Sequence, residues 1–426
     1  MKNTASFLHD TFSSLKIRNY RLYFTGQAIS VSGTFMQAVA QAWLVLKITN
    51  SGTALGLVTA LQFLPVLLLG PWGGVIADRY NKRKLLFVTQ TVFSLQAIIL
   101  GILVIIGLVQ LWMVAVLAFI YGLVNVVDSP TRQTFVPEMV GNENVRNAVT
   151  LYSSLVNLAR VIGPVIAAVL IATVGLGMCF IVNGLSYSAI IILLYIMDTG
   201  QLLITEKAIR KSGQMIEGLR YILSTPVLRI TLLMMAFIGT FTYEFQVSLP
   251  LLAEFTFHGD AGTYAFLMSS QGVGSIIGGI ILAGQKRVSV RSLTISAFLF
   301  GASTLLASFM PGLILSAIII FVVGFFSINV LSLGNTILQL GSTPQMRGRV
   351  MAYWAMAFLG STAIGGPIIG WVGENIGPRW GLGIGGVAAI IASVIGIVAI
   401  RDLKGEVTGE ESVRAEIAES EERRVL

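Results

Sequence analysis

Four ionisable residues interrupt long apolar stretches: Asp128, Arg132, Arg160 and Glu244. A charge held in hydrocarbon costs a few kcal/mol or more, so each is a functional candidate. The acids could carry a proton, and Arg160 could hold a carboxylate of a substrate or of the chain itself. His9 and His258 lie outside the apolar runs, so a carried proton would use Glu244 or Asp128. Cys179, the only cysteine, sits within an apolar run, which excludes an intrachain disulfide or a cysteine metal site. No metal cluster or nucleophilic triad can be assembled, so no metal or cofactor is expected and enzyme readings are weak.

The elements that hold these charges must be membrane helices. The chain has 426 residues, 55% hydrophobic and 11% charged, with a mean hydropathy of +0.83, whereas soluble domains carry about 25% charged residues. About 20 apolar residues span a bilayer core, and twelve such runs can be read: 22–46, 53–77, 85–108, 111–136, 148–174, 177–198, 230–255, 262–284, 290–311, 313–340, 350–375 and 379–401. Barrel-type alternation is absent, and backbone groups in lipid need internal partners, which leaves helices. The first run is too long and too polar for a signal peptide. Asp128 then falls in the inner third of the fourth span, with Arg132 one turn deeper, and Arg160 and Glu244 lie near mid-membrane.

The net charge of +8 is explained by topology, and no nucleic-acid partner is needed. All Lys and Arg except Lys47, Arg160 and Arg379 fall in the tails or near the loops after the even-numbered spans. Positive loops mark the cytoplasmic side, so both termini are expected there. The chain also repeats. Gly73-Gly74-Val-Ile recurs as Gly278-Gly279-Ile-Ile, and Arg146 with Gly163-Pro164 recurs as Arg349 with Gly366-Pro367, both at offsets of roughly 200 residues. The expected organisation is a cytoplasmic segment 1–21, a six-helix bundle 22–198, a cytoplasmic linker 199–229 with an amphipathic helix, a second bundle 230–402 and an acidic tail 403–426. The fold class is all-α integral membrane, in two pseudo-symmetric six-helix bundles.

Polar residues at helical spacing surround the buried charges. Gln37 and Gln41 follow Gly26, Ser30 and Gly33 in the first span; Asn157 precedes Arg160; Asn335 and Gln339 mark the tenth. Because both halves contribute, a polar cavity is expected, with Tyr152, Tyr243 and Trp354 as apolar walls. The competing reading is interhelical hydrogen bonding, which contributes about 0.6 to 2 kcal/mol per contact in membranes, and for Arg160 and Glu244 a static ion pair. Two nucleotide-binding lookalikes fail on context. Gly381 to Gly386 fits G-x-G-x-x-G but opens a membrane helix, and GIILAGQK at 279–286 lacks the Gly-Lys-Ser/Thr ending. Uphill work would therefore draw on an ion gradient.

Gly74-x-x-x-Asp78-Arg79-x-Asn81-Lys82-Arg83 resembles the signature between helices 2 and 3 of the major facilitator superfamily, with Asn81 where Gly is usual. Ala159-x-x-x-Gly163-Pro164 resembles the helix 5 signature of its proton-coupled exporters. Asp128-Ser-Pro-Thr-Arg132 and EGLRY at 217–221 are similar to the branch with enterobactin-type siderophore exporters and macrolide efflux pumps. The resemblance implies alternating access about a central site. It implies a latch formed by Gly74, Asp78, Arg79, Arg83, Asp128 and Arg132, in which Asp78 caps the eleventh helix and Arg79 and Arg83 pair with Asp128. It also implies a helix 5 hinge at Gly163 and Pro164, packed on Gly272, Gly274 and Gly278 of the eighth span.

The function expected is a monomeric secondary transporter that exports an amphipathic small molecule by proton antiport. Glu244 and Asp128 would couple protons, and Arg160, Gln37, Gln41, Asn157, Tyr243, Asn335 and Trp354 would line the substrate cavity. The alternative is an uncoupled facilitator or lysolipid flippase. A membrane receptor is disfavoured by the duplicated halves.

Overall fold

The computed structural model describes residues 12–203, 214–283 and 288–402. Expectations for the extreme N-terminus, for 204–213 of the linker and for the acidic tail lie outside them. Among the described residues, twelve helices are long and apolar enough to cross a membrane. They are α1 (Arg18–Thr49), α2 (Gly52–Arg79), α3 (Lys82–Ile105), α4 (Leu111–Gly141), α5 (Glu143–Thr173), α6 (Leu176–Ile196), α7 (Pro226–Thr256), α8 (Ala261–Ala283), α9 (Val290–Phe309), α10 (Leu313–Leu340), α11 (Gln345–Asn375) and α12 (Pro378–Asp402). Gly141, at φ 70° and ψ 165°, separates α4 from α5. Glycine adopts that conformation without the Cβ clash of other residues.

The chain forms two compact units. One contains Met1–Ile48 and Leu69–Ile209, the other Thr49–Leu68 and Arg210–Leu426. The first half of α2 therefore clusters with the C-terminal spans and its second half with the N-terminal ones. Lipid supplies no hydrophobic drive between apolar helices, so association depends on close backbone approach at small residues. The same three crossings recur in both units. In the first, a Cβ on Gly73 of α2 would run into the Val126 carbonyl of α4, one on Gly184 of α6 would lie 2.5 Å from Ile98 of α3, and one on Gly163 of α5 would lie 2.9 Å from the Ser32 oxygen of α1. In the second, Gly274 of α8 meets Phe321 of α10, Gly386 of α12 meets Leu305 of α9, and Gly365 of α11 meets Thr240 of α7. The sequence repeat is thus a repeat of helix pairing.

Gly73 makes a close backbone approach next to the signature loop. Gly163 packs on α1, and Gly274 and Gly278 pack on α10, where backbone contact leaves no room for side chains. The linker helix, Gln214–Ser224, lies on the start of α11. Its Tyr221 and Ile222 pack with Leu338 and Val350, Glu217 pairs with Arg349 at 2.7 Å, and Tyr353 donates to the Met215 carbonyl at 3.0 Å.

Candidate functional site

In the first unit Asp128 is fully enclosed. Its Oδ1 accepts hydrogen bonds from Thr89 Oγ1 at 2.6 Å and Gln90 Nε2 at 2.8 Å, and its Oδ2 pairs with Arg132 Nε at 2.7 Å. The Arg132 Nη1 reaches Gln27 Oε1 and the Tyr152 hydroxyl, each at 3.4 Å. The i, i+4 spacing on α4 stacks acid over base on one face, and α3 supplies the two neutral donors. A buried ion pair needs its remaining hydrogen-bonding capacity met, and here Thr89 and Gln90 supply two donors to Oδ1.

This arrangement differs from the expected latch. Arg83 donates to the backbone carbonyls of Leu194 and Tyr195, at 2.7 and 2.9 Å, and Arg132 holds Asp128 in its place. The lysine of the loop, Lys82, pairs with Glu138 of α4. Asn81, the departure from the signature, caps α3 by accepting from the Lys84 N–H at 3.0 Å, which satisfies a donor that a helix start leaves open. Asp78 is half-buried and Arg79 exposed at the end of α2.

Gln37 and Asn183 form a separate buried network. Asn183 donates to Gln37 Oε1 at 2.6 Å, and Gln37 donates to Gln96 Oε1 at 3.3 Å, joining α1, α6 and α3. Gln37 therefore ties α1 to α3 and α6. Gln41 and Asn157 are half-buried. The Arg160 guanidinium lies 5.8 Å from the centre of the Phe35 ring, a cation–π distance.

The second unit holds Glu244, 2% exposed. It sits where α7 departs from regular helix, since the Tyr243 N–H bonds to the Ile238 carbonyl five residues back, at 3.0 Å. Such π-type turns re-aim side chains, and α11 has its own at Met356–Gly360. The carboxylate lies against α11 at two glycines. A Cβ on Gly365 would lie 3.0 Å from Glu244 Oε1, and one on Gly366 would lie 3.7 Å from Oε2. Thr362 lies beside the carboxylate, and Oε1 has no hydrogen-bond partner among the described residues. Glu244 is the one buried acid of this unit among the described residues.

Beside it is an aromatic cluster. The Tyr243 ring stands edge-on to Phe358 at 4.8 Å and lies 5.7 Å from Phe300, and Trp354 stacks on Phe358 at 5.6 Å and 9°. Tyr243 donates to the Ser327 carbonyl at 2.8 Å, and the buried indole nitrogen of Trp354 lacks a partner among the described residues. Asn335 accepts from Gln339, one turn further along α10.

Residues 9–418 match the family described as transmembrane secretion effector, within the major facilitator class. The chain belongs to that family. It is a multi-pass membrane transporter and not an enzyme. Among characterised relatives it is 25% identical to the staphyloferrin A transporter of Staphylococcus aureus, over 78% of this chain and 84% of that protein. It is 25% identical to the multidrug efflux pump Tap of Mycolicibacterium fortuitum, over 75% and 80%. It is 24% identical to the enterobactin exporter of Escherichia coli O1:K1, over 90% and 92%. Its fold is that of a POT family transporter, with a TM-score of 0.75 at 10% identity over 91% of this chain and 97% of the other. A bacterial homologue of the lysosomal transporter Spinster matches with a TM-score of 0.67 at 14% identity, over 94% and 98%.

Sequence reasoning missed several members of these networks. Thr89, Gln90 and Gln96 share α3, and Asn183 lies on α6; their signal was polar residues inside apolar spans, the same signal that singled out Gln37. Glu374, at the end of α11, carries no such signal, because a charge costs little at a helix end.

Proposed function

We propose that this transporter exports an amphipathic small molecule, of the siderophore, macrolide or drug-like class, by alternating access coupled to proton antiport. Glu244 is the proton carrier, and the observation that carries this role is its place: a carboxyl sealed against Gly365 and Gly366 with one oxygen lacking a hydrogen-bond partner among the described residues. An ionised carboxylate sealed from water is costly, and a proton removes that cost. Release of the proton is then tied to exposure of the group. Asp128, exchanging partners between Arg132 and the loop basic residues, links the first unit to this cycle, and Arg160 meets a substrate carboxylate or other acceptor. The aromatic cluster of Tyr243, Trp354 and Phe358 suits an apolar ring or chain of the substrate. The relatives named above support the substrate class, and the basic loops support cytoplasmic termini. The transporter acts as a monomer, with the proton gradient as its energy source.

The test is transport in proteoliposomes with an imposed proton gradient. Antiport gives accumulation that an ionophore abolishes. Equilibration that ignores the ionophore would replace this reading with the uncoupled facilitator or lysolipid flippase.

A further inference from the structure

At the start of α2 an acid from α11 closes the helix end. Glu374 Oε2 accepts from the Ser51 hydroxyl at 2.7 Å and from the Thr53 N–H at 2.8 Å. Ser51 Oγ in turn accepts from the Ala54 N–H at 3.1 Å. Glu374 thus caps a helix distant in sequence, where the first N–H groups of α2 have no partner within the helix. A negative charge is also favoured at that end.

Below the cap the two helices touch through backbone. A Cβ on Gly52 would lie 2.7 Å from the Gly370 oxygen, and one on Gly56 would run into the Gly366 carbonyl and lie 2.9 Å from Pro367 Cα. One turn further, Thr59 is 6% exposed, and its Cβ lies 3.7 Å from the Cβ position of Gly366, the same position that lies 3.7 Å from Glu244 Oε2. The order along the seam is therefore cap, two glycine crossings, Thr59 and the buried acid. This contact also explains why Thr49–Leu68 clusters away from the rest of α2.

We infer that Glu374 is the latch of a closable seam between the first half of α2 and α11, and that the closed seam keeps water from Glu244. The seam suits opening. Its surfaces are glycine backbone with little interdigitated side-chain volume, and its polar fastening lies at the solvent-exposed end, where Glu374 is exposed. Two donors, the Ser51 hydroxyl just before α2 and the Thr53 N–H in its first turn, exchange for water when the carboxylate lets go. Glu374 is a positioning residue, since it touches neither the proton carrier nor a substrate. The inference rests on the transport reading for its purpose, but its geometry can be tested apart from transport.

The experiment is the rate at which a water-soluble maleimide labels Thr59→Cys in the purified full chain, with the chain lacking that substitution as the background for buried Cys179. Loss of a helix cap shifts an equilibrium by about 1 kcal/mol. Glu374→Ala should therefore raise the labelling rate about fivefold, and Glu374→Gln, whose amide oxygen still accepts both donors, should restore most of the protection. Ser51→Ala removes one donor and should give a smaller rise, which carries the test if Glu374→Ala is not recovered folded. Labelling in Glu374→Ala and Ser51→Ala equal to the parent's overturns the latch. If these rates rise while transport by the parent ignores the proton gradient, the latch stands and the proton reading falls.

Discussion

Substituting Gly365 by Ala perturbs the crossing that holds Glu244. A Cβ there would run into the Thr240 carbonyl of α7 and approach Glu244 Oε1 to 3.0 Å. The first obstacle is backbone, so α7 and α11 must separate, and the carboxylate must swing away. Overpacking of this kind costs about 1 to 3 kcal/mol. For a bundle of this size that lowers the melting temperature by about 2 to 9 °C. Gly279 is the matched control: a Cβ there meets nothing closer than Ile328 Cγ1 of α10, at 3.8 Å, so Gly279→Ala should melt with the parent. The assay is tryptophan-fluorescence melting in one detergent at one scan rate, with transport measured on the same preparations. Gly365→Ala melting together with Gly279→Ala would refute the crossing and the burial of Glu244 derived from it.

Three further outcomes concern the first unit and the linker. Arg132→Gln leaves Asp128 buried with two neutral donors and no counterion, so it should destabilise by about 3 to 5 kcal/mol; adding Asp128→Asn should recover much of the loss in a double-mutant melting series. Asn183→Leu strips Gln37 Oε1 of the donor seen at 2.6 Å and should cost about 1 to 3 kcal/mol, read as an earlier melt, with substrate binding changed less than stability. Glu217→Gln should change the melt by less than about 1 kcal/mol, because an exposed pair with Arg349 is screened by water.

The number and type of spanning helices were legible because hydrophobic length is read by the bilayer itself, and the repeat was legible because glycines recur where backbones cross. Glu244, Asp128 and Arg160 stood out for the cost of a charge in lipid. What those charges touch was not legible. The i, i+4 partner of Asp128 was in view as Arg132, yet the donors Thr89 and Gln90 come from a helix whose rotation no local pattern states. Gln37 carried the same polar signal as a cavity residue, and its bonds to Asn183 and Gln96 could not be read from its spacing. The π-type turn at Ile238 to Tyr243, which aims Glu244 at α11, is a tertiary effect without proline at the turn. Glu374 was invisible because its partners, Ser51 and Thr53, lie in another half of the sequence, and an acid near a helix end looks like ordinary surface.

Coupling of substrate movement to proton movement rests on Glu244. In proteoliposomes, Glu244→Gln should keep substrate-for-substrate exchange across the membrane while losing accumulation driven by a proton gradient, because a neutral amide can occupy the seam but cannot release a proton. Gradient-driven accumulation by Glu244→Gln at the parent's level would contradict that coupling.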